Sequence, residues 1–201
     1  MIAVIKYNAG NIKSLSFALE RIGVDFKITG NPEEIQQADK VIFPGVGEAS
    51  STMAYLKEYK LDQAIKNLKQ PTLGICLGMQ LMCRYSEENK TECLGIFDET
   101  VKLIPASNGL KVPHMGWNKL VNQTDWLEDT SLRGRNDRSN LHYAYFVHSY
   151  YVPVNPFTTA SCSYGVEISA SMRKNNFYAL QFHPEKSAET GEVILKTFLD
   201  L

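Results

Sequence analysis

The chain has 201 residues, of which 44% are hydrophobic and 21% charged, and its formal net charge is −1. This length fits one α/β domain over residues 1–201, and the near-neutral charge argues against nucleic acid as a partner. The N-terminal apolar run ends at Lys6, too early for a secretory signal, and no apolar stretch reaches membrane-spanning length. We therefore expect a cytoplasmic protein without a membrane partner.

The first half of the chain alternates strand and helix patterns. Short apolar runs predict strands at residues 2–7, 24–28, 40–43 and 72–75. Helical spacing predicts helices at 12–22, with Asn11 as a cap, at 32–37, at 48–68 with a break near Tyr59, and at 77–85. Strands that alternate with helices favour a parallel sheet covered on both faces.

The second half is richer in strand patterns. We predict strands at 101–104, 119–121, 143–152, 159–163, 167–172 and 177–182, and a closing helix at 187–199. Residues 122–140 are polar and indicate a long surface loop, and its cluster Arg133, Arg135 and Arg138 is interpreted as solvated. The predicted fold class is α/β: a mostly parallel central sheet with helices on both faces, plus a largely antiparallel strand region.

The segment around Cys76 has the pattern of a nucleophile elbow. Thr72-Leu-Gly-Ile-Cys-Leu-Gly-Met-Gln80 reads as a strand, a sharp turn with glycine on each side of a cysteine, and a helix. Such a turn lifts the sulfur into a cleft, the helix N-terminus favours a thiolate, and the Leu77 N–H can donate to an oxyanion. This motif alone leaves open the alternative of a packed core cysteine, since cysteine is among the most buried residue types.

The other cysteines show no metal or disulfide pattern. Cys83, Cys93 and Cys162 form no C-x-x-C pair, and the chain has only four histidines. We expect these three cysteines to pack in the core, and we expect neither a metal nor an organic cofactor.

A base for the thiol is found in Phe182-His-Pro-Glu185. In an extended segment, alternate side chains point the same way, so Glu185 could orient His183 toward the sulfur. His114, His142 and His148 remain competing bases, because no spacing rule excludes them.

Three motifs together resemble those of the class I, or triad-type, glutamine amidotransferases. They are Pro44-Gly-Val-Gly47, Gly74-Ile-Cys-Leu-Gly-Met-Gln80 and Phe182-His-Pro-Glu185. Val112-Pro-His-Met-Gly-Trp-Asn118 and Phe182-His-Pro-Glu-Lys-Ser187 narrow the likeness to the glutaminase subunits of imidazole glycerol phosphate synthases. The resemblance covers essentially the whole chain and implies a flavodoxin-like fold.

The resemblance implies a role for each matching residue. Cys76 is implied as nucleophile, His183 as base and acid, and Glu185 as its orienter. The implied oxyanion hole is Val46, Gly47 and Leu77, formed after a peptide flip in residues 44–47. The implied glutamine contacts are Gln80, Glu88, His148, Ser149 and Tyr150, although Glu88 could equally be a solvated charge.

The resemblance also implies a partner, a cyclase subunit of (β/α)₈ barrel fold bound as a heterodimer. The residues implied to meet it are His114, Met115, Trp117, Asn118, Tyr145 and Lys186. Trp117 could instead fill the chain's own core. Two alternative functions stay open: a related glutaminase that serves a different acceptor synthase, and a catalytically inactive regulatory subunit.

Overall fold

The computed structural model describes residues 1–7, 12–106, 109–121, 124–127 and 143–201. The predicted cap Asn11, His142 and most of the predicted loop at 122–140, including its three arginines, lie outside these ranges. Within that loop, Asp125–Leu127 forms a 3₁₀ turn. No helix of the described residues is long and apolar enough to cross a membrane.

The central sheet has seven strands. They are β1 (Ile2–Ile5), β2 (Phe26–Thr29), β3 (Lys40–Phe43), β4 (Thr72–Ile75), β11 (Thr158–Ser163), β12 (Glu167–Lys174) and β13 (Phe177–Leu180), in the order β11-β12-β13-β4-β3-β1-β2. The five strands from β13 to β2 pair in parallel, whereas β12 pairs antiparallel with both neighbours. The mostly parallel sheet with an antiparallel region is therefore confirmed.

Two smaller sheets contain the other strands of the residues that the structure describes. A four-stranded sheet contains β5 (Cys83–Ser86), β6 (Thr91–Glu92), β7 (Phe97–Leu103) and β10 (Tyr150–Tyr151). A two-stranded antiparallel ribbon pairs β8 (His114–Lys119) with β9 (Tyr143–His148). The ribbon lies beside the turn after β13, because the N–H of His183 donates to the Tyr145 carbonyl at 2.9 Å.

Helices cover both faces of the central sheet. They are α1 (Ile12–Ile22), α2 (Pro32–Gln37), α3 (Ala49–Glu58), α4 (Leu61–Lys66), α5 (Leu77–Met82) and α6 (Ala188–Leu199). Side chains of β1 alternate between two cores, since Val4 packs with α1 and α6 whereas Ala3 and Ile5 pack with α2 to α5. Burial on both faces explains why the inner strands β1, β3, β4 and β13 are largely apolar runs without a polar alternation.

Several predicted element boundaries were wrong. The helix predicted at 77–85 ends at Met82, because Cys83 turns extended and begins a strand that pairs with β7. The strand predicted at 119–121 lies earlier in the chain, because β8 covers His114–Lys119. The strand predicted at 143–152 is interrupted at Ser149, and the one at 177–182 ends at Leu180. In each case pairing with a distant strand, which local patterns do not report, decided the boundary.

Candidate active site

Cys76 occupies a strained turn between β4 and α5. Its backbone has φ 52° and ψ −107°, a conformation that residues other than glycine rarely adopt. The N–H of Cys76 donates to the Leu180 carbonyl at 2.7 Å, which ties the turn to β13. Strain of this kind persists only where the surroundings enforce it, and it is concentrated at functional sites.

The two glycines that flank Cys76 are required by close backbone approaches. A Cβ atom at Gly78 would lie 2.0 Å from the carbonyl oxygen of Phe43, and one at Gly74 would lie 3.0 Å from the Gly78 backbone. The elbow is therefore packed directly against β3, with no room for a side chain. The sequence argument that glycine is needed on both sides of the cysteine is confirmed.

His183 and Glu185 form a buried pair. The Nδ1 atom of His183 lies 2.8 Å from Oε1 of Glu185, and the two side chains are 2% and 5% exposed. The predicted reason for this pairing was wrong, because Pro184–Lys186 is a 3₁₀ turn and not a continuation of the strand. The turn, rather than strand alternation, brings the carboxylate back to the imidazole.

The Glu185 carboxylate sets the charge and tautomer of His183. An ionised carboxylate only accepts, so Nδ1 carries the hydrogen that is donated to Glu185. Burial disfavours the imidazolium, but interactions with Cys76 and Glu185 outweigh it and raise the pKa of His183 to about 10. The second nitrogen, Nε2, is buried and has no hydrogen-bond partner within the described part of the chain, so it remains available for proton transfer.

A cavity of about 360 Å³ opens beside Cys76. Its lining contains all the oxyanion and glutamine-contact residues that the sequence suggested: Val46, Gly47, Leu77, Gln80, Glu88, His148, Ser149 and Tyr150, together with Pro113 and Val147. These residues come from separate parts of the chain. A volume of this size falls in the range of small-molecule sites.

Glu88 is held at the N-terminus of α3. One of its oxygens, Oε2, accepts from the Ala49 N–H at 2.8 Å. Burial, together with the nearby Glu48 carboxylate, raises the pKa of Glu88. Because it is half-buried in the cavity wall, Glu88 is not the freely solvated charge that the sequence also allowed, and it places a carboxylate where a cationic group can be bound.

The Leu77 N–H is occupied. It donates to the carbonyl oxygen of Gly45 at 3.3 Å. That carbonyl and the Val46 N–H belong to the same peptide unit, so rotating this one peptide would withdraw an acceptor and present a donor. The neighbouring Pro44 carbonyl is fixed, since the buried Tyr7 hydroxyl donates to it at 2.7 Å.

The histidines His114 and His148 form a second buried pair. His148 Nδ1 donates to the Tyr150 carbonyl at 2.8 Å, so its Nε2 accepts from Nδ1 of His114 at 3.0 Å. Burial lowers the pKa of His114 to about 4 and that of His148 to about 3. Both rings are therefore neutral near pH 7 and are engaged with other groups, which leaves His183 as the better-placed base.

The outer face of the β8–β9 ribbon carries large, exposed apolar side chains. Met115 is 62% exposed and Trp117 is 54% exposed, so Trp117 does not fill the core. The Tyr145 ring packs edge-on against Trp117 at 6.0 Å, and the Lys186 ammonium lies 5.9 Å from the Tyr145 ring. We call Met115, Trp117, Tyr145 and Lys186 the ribbon surface.

Two other residues suggested for the partner contact lie on the inner side of the ribbon. His114 is 2% exposed and stacks against Phe146 and Tyr164, so its side chain does not join the ribbon surface. Asn118 is partly exposed, and its amide donates to the Ser163 carbonyl at 2.9 Å.

One buried side chain at the site escaped the sequence argument. Gln181 is 0% exposed, and its Nε2 lies 3.8 Å from the Cys76 sulfur. It precedes His183 by two residues, and that spacing is the signal that could have identified it. Within the described ranges, no group of three or more His, Cys, Asp or Glu side chains could hold a metal ion.

Comparison with solved structures identifies the fold. A crystal structure described as a glutamine amidotransferase superposes with a TM-score of 0.72 at 16% identity, covering 100% of this chain and 98% of the other. A chain from the structure of PurLQS from Thermotoga maritima has a TM-score of 0.70 at 15% identity, covering 99% of this chain and 97% of the other. At such identities the likeness concerns the fold alone.

Sequence relatives are much more similar. The imidazole glycerol phosphate synthase subunit HisH of Bacteroides fragilis strain YCH46 is 56% identical over 201 residues, covering 100% of this chain and 99% of the relative. HisH of Bacteroides thetaiotaomicron is 55% identical over the same coverage, and HisH 2 of Legionella pneumophila strain Paris is 46% identical over 100% and 98%. A sequence model of the family described as Glutamine amidotransferase class-I matches residues 3–201. The chain belongs to the class-I glutamine amidotransferase family.

Proposed function

We propose that this chain hydrolyses L-glutamine to glutamate and ammonia, with Cys76 as nucleophile, His183 as proton carrier and Glu185 as its orienter. The observation that carries the proposal is the buried His183–Glu185 pair, 2.8 Å apart, whose imidazole interacts with Cys76, a residue of the cavity wall. A thiol that performs acyl transfer needs a base and a group that fixes that base.

The proposed reaction proceeds in two halves. The Cys76 thiolate attacks the amide carbon of glutamine, and the protonated His183 gives its Nε2 proton to the departing ammonia. Water then attacks the glutamyl thioester while His183 takes a proton from it, which releases glutamate and restores the Cys76 thiolate beside a protonated His183. The raised pKa of His183 suits the first half, because the imidazolium both favours a neighbouring thiolate and is the acid that the leaving group needs.

The oxyanion hole is proposed to consist of the Leu77 and Val46 N–H groups, with Gly47 giving the adjoining segment its freedom. The Gly45 carbonyl bonded to the Leu77 N–H supports a resting state in which the hole is closed. Rotation of the Gly45–Val46 peptide would open it. Losing one such donor typically lowers the rate about 10²–10³-fold, so the resting state is expected to be a slow enzyme.

The cavity lining suggests how glutamine is held. Glu88 is proposed to bind the α-amino group, because its half-buried carboxylate is part of the cavity wall. The backbone of His148, Ser149 and Tyr150 is proposed to lie along the main-chain groups of the substrate, with Gln80 beside its side chain.

The ammonia acceptor is proposed to be the cyclase subunit of an imidazole glycerol phosphate synthase, in a cytoplasmic heterodimer that serves histidine biosynthesis. Relatives of 46–56% identity over the full length of the chain carry the HisH name, which supports this choice. The ribbon surface, with Asn118 at its edge, is the proposed contact with the partner, which is expected to have a (β/α)₈ barrel fold. Exposed Trp and Met side chains are favoured at the cores of such interfaces.

The first test is glutamate release by the Cys76→Ala variant. We expect no release, with thermal unfolding close to that of the unsubstituted chain, because the substitution removes only the sulfur. Cys93→Ala is the matched control: burial raises the pKa of Cys93 to about 12, so this thiol stays protonated and its loss should leave activity intact. Glutamate release by Cys76→Ala at the normal rate would refute the assignment of the nucleophile.

The second test concerns the partner. Glutamate release should be slow for the chain alone. It should be strongly stimulated by the purified cyclase subunit of an imidazole glycerol phosphate synthase together with the acceptor ligand of that subunit. Stimulation by a different acceptor synthase would favour the related-glutaminase alternative. An intact chain that is never labelled at Cys76 by a glutamine-analogue electrophile, with or without partner, would favour the inactive regulatory subunit.

A further inference from the structure

Gln181 lies behind the Cys76 sulfur, away from solvent. Its Nε2 atom is 3.8 Å from Sγ, and its Oε1 accepts from Nε2 of Gln80 at 3.0 Å. The side chain has no exposed surface, so it reaches the sulfur from the protein interior and not from the cavity that substrate would occupy.

The Tyr150 carbonyl determines which way both amides point. A carbonyl oxygen can only accept, and Nε2 of Gln80 lies 2.8 Å from it, so the Gln80 amide cannot be reversed without placing two oxygens in contact. The same NH₂ group faces Gln181, which must therefore turn its oxygen to Gln80 and its own NH₂ to Cys76. The Tyr150 carbonyl oxygen therefore sets the orientation of the Gln181 amide through the side chain of Gln80.

The His114–His148 pair fixes that carbonyl from another direction. His148 donates to the Tyr150 oxygen at 2.8 Å, and His114 donates to His148 at 3.0 Å. The Tyr150 oxygen thus accepts hydrogen bonds from two buried side chains, Gln80 and His148. Two donors that converge on one acceptor leave little freedom for either to rotate.

Backbone register explains why residue 181 faces the sulfur. The Cys76 N–H donates to the Leu180 carbonyl at 2.7 Å, and the Gln181 N–H donates to the Ala170 carbonyl at 2.9 Å. These two bonds hold the chain just after β13 between the elbow and β12. The next two residues lead directly to His183, so one short segment supplies both the proton carrier and the buried donor.

We propose that Gln181 stabilises the Cys76 thiolate by donating an Nε2–H hydrogen bond to the anionic sulfur, and that this donor is held in place by Gln80 and the Tyr150 carbonyl. An N–H donor interacts more strongly with a charged acceptor than with a neutral thiol, so the bond favours ionisation. Gln181 touches the reacting atom and so belongs to the catalytic group. The inference rests on the proposed role of Cys76 as nucleophile.

The experiment is the pH dependence of Cys76 alkylation by iodoacetamide in the full chain, followed by peptide mass spectrometry without glutamine present. Gln181→Met keeps the length of the side chain but removes the donor, and Gln181→Asn keeps an amide too short to reach the sulfur. Both should move the alkylation midpoint upward by about one pH unit, with a roughly tenfold slower reaction near pH 7, as expected for a lost hydrogen bond to a charged group.

The matched control is Ser171→Ala. Ser171 is equally buried and lies opposite Leu180 in the register of β12 with β13, but its hydroxyl bonds to that of Thr159. Its loss removes a buried polar group from the neighbouring strand and should leave the midpoint unchanged. A midpoint that is also unchanged in folded Gln181→Met or Gln181→Asn would overturn the proposal.

A measurement on the unsubstituted chain covers the case in which neither variant folds. The side-chain amide protons of Gln181, observed by ¹⁵N NMR, should shift over the same pH range as the Cys76 alkylation rate. Amide resonances that stay fixed through that range would refute the hydrogen bond. If the Gln181 variants raise the alkylation midpoint of Cys76 but the unsubstituted chain does not hydrolyse glutamine, the proposed function is wrong and the role of Gln181 stands. If glutamine is hydrolysed normally but the alkylation midpoint is the same in the Gln181 variants, only this inference is wrong.

Discussion

The two turns that supply the candidate site are held by different forces. At the Cys76 elbow the backbone is strained, with φ 52°, and glycines allow contacts that no other residue would permit. At the turn after Phe182, His183 has an ordinary extended conformation, with φ −98° and ψ 98°. That turn is held mainly by hydrogen bonds, which converge on the Ser187 hydroxyl.

The Ser187 hydroxyl links two segments. It donates to the His183 carbonyl at 2.7 Å and accepts from the Tyr145 N–H at 2.9 Å, so it joins the turn to β9. Steric limits matter there through Gly191 in α6, where a Cβ would lie 1.8 Å from the Pro184 carbonyl. The nucleophile is therefore positioned mainly by shape, whereas the base is positioned by one such contact and by a polar network that can be changed atom by atom.

The largest effect is expected for Gly78→Ala. The new Cβ would meet the Phe43 carbonyl at 2.0 Å, so the backbone of β3 or α5 must move. Overpacking costs about 1–3 kcal/mol, and the upper end is expected here because both groups are backbone. The measurement is the free energy of unfolding by urea, together with the rate of Cys76 alkylation.

Gly95→Ala separates the clash from backbone strain. Gly95 has φ +71° but nothing within 4 Å of its added Cβ, so only the conformational penalty of about 1–2 kcal/mol applies. Equal losses of stability at the two glycines would contradict the steric account of the elbow.

A smaller loss is expected for Ser187→Ala. The substitution leaves the part-buried Tyr145 N–H without its acceptor, which costs less than it would for a fully buried donor, about 1 kcal/mol of unfolding free energy. Because His183 is then less well placed, kcat for glutamate release should fall about tenfold or more, with KM little changed. The control is Ser51→Ala, at an exposed position, which should change the free energy of unfolding by less than about 0.5 kcal/mol. Unchanged kcat in Ser187→Ala would show that the network does not position His183.

The last prediction concerns the pH dependence of stability, and its sign differs between histidines. Burial lowers the pKa values of His114 and His148 below the unfolded value of about 6.5. The unfolded chain therefore binds more protons, and stability is lost as pH falls from about 6.5 toward 4, by at most about 1.4 kcal/mol per pH unit for each proton. His114→Gln should reduce that slope in urea titrations between pH 5 and 6.5; an unaltered slope would exclude this pair as its source.

His183 acts in the opposite window. Its pKa is raised to about 10, so its contribution is fully present below about pH 6.5 and is lost as pH rises through 10. Comparing the acid and alkaline limbs of one stability curve thus distinguishes the histidine of the polar turn from the neutral pair beneath the ribbon.

Much of the site could be predicted because its residues lie in short local motifs. Glycine spacing around Cys76 and the two-residue separation of His183 and Glu185 are visible in the sequence and correspond to backbone geometry. The bounds predicted for the helix at 77–85 and for the strand at 119–121 were wrong for the same reason: β5 and β8 exist through pairing with distant segments. Gln181 was missed because its spacing of two residues from His183, although visible in the sequence, does not show that the fold packs its side chain against the Cys76 sulfur.

The sequence by itself determined the alternation of strands and helices, the need for glycine at the elbow and the chemistry available at Cys76, His183 and Glu185, since these follow from periodicity and from single side chains. Only the tertiary structure decided the rest. The Gly45 carbonyl on the Leu77 N–H, the neutral His114–His148 pair and the amide of Gln181 on the sulfur join residues 32 to 105 positions apart. Hydrogen-bond direction, burial and charge state are properties of such contacts, and they arise when the chain folds.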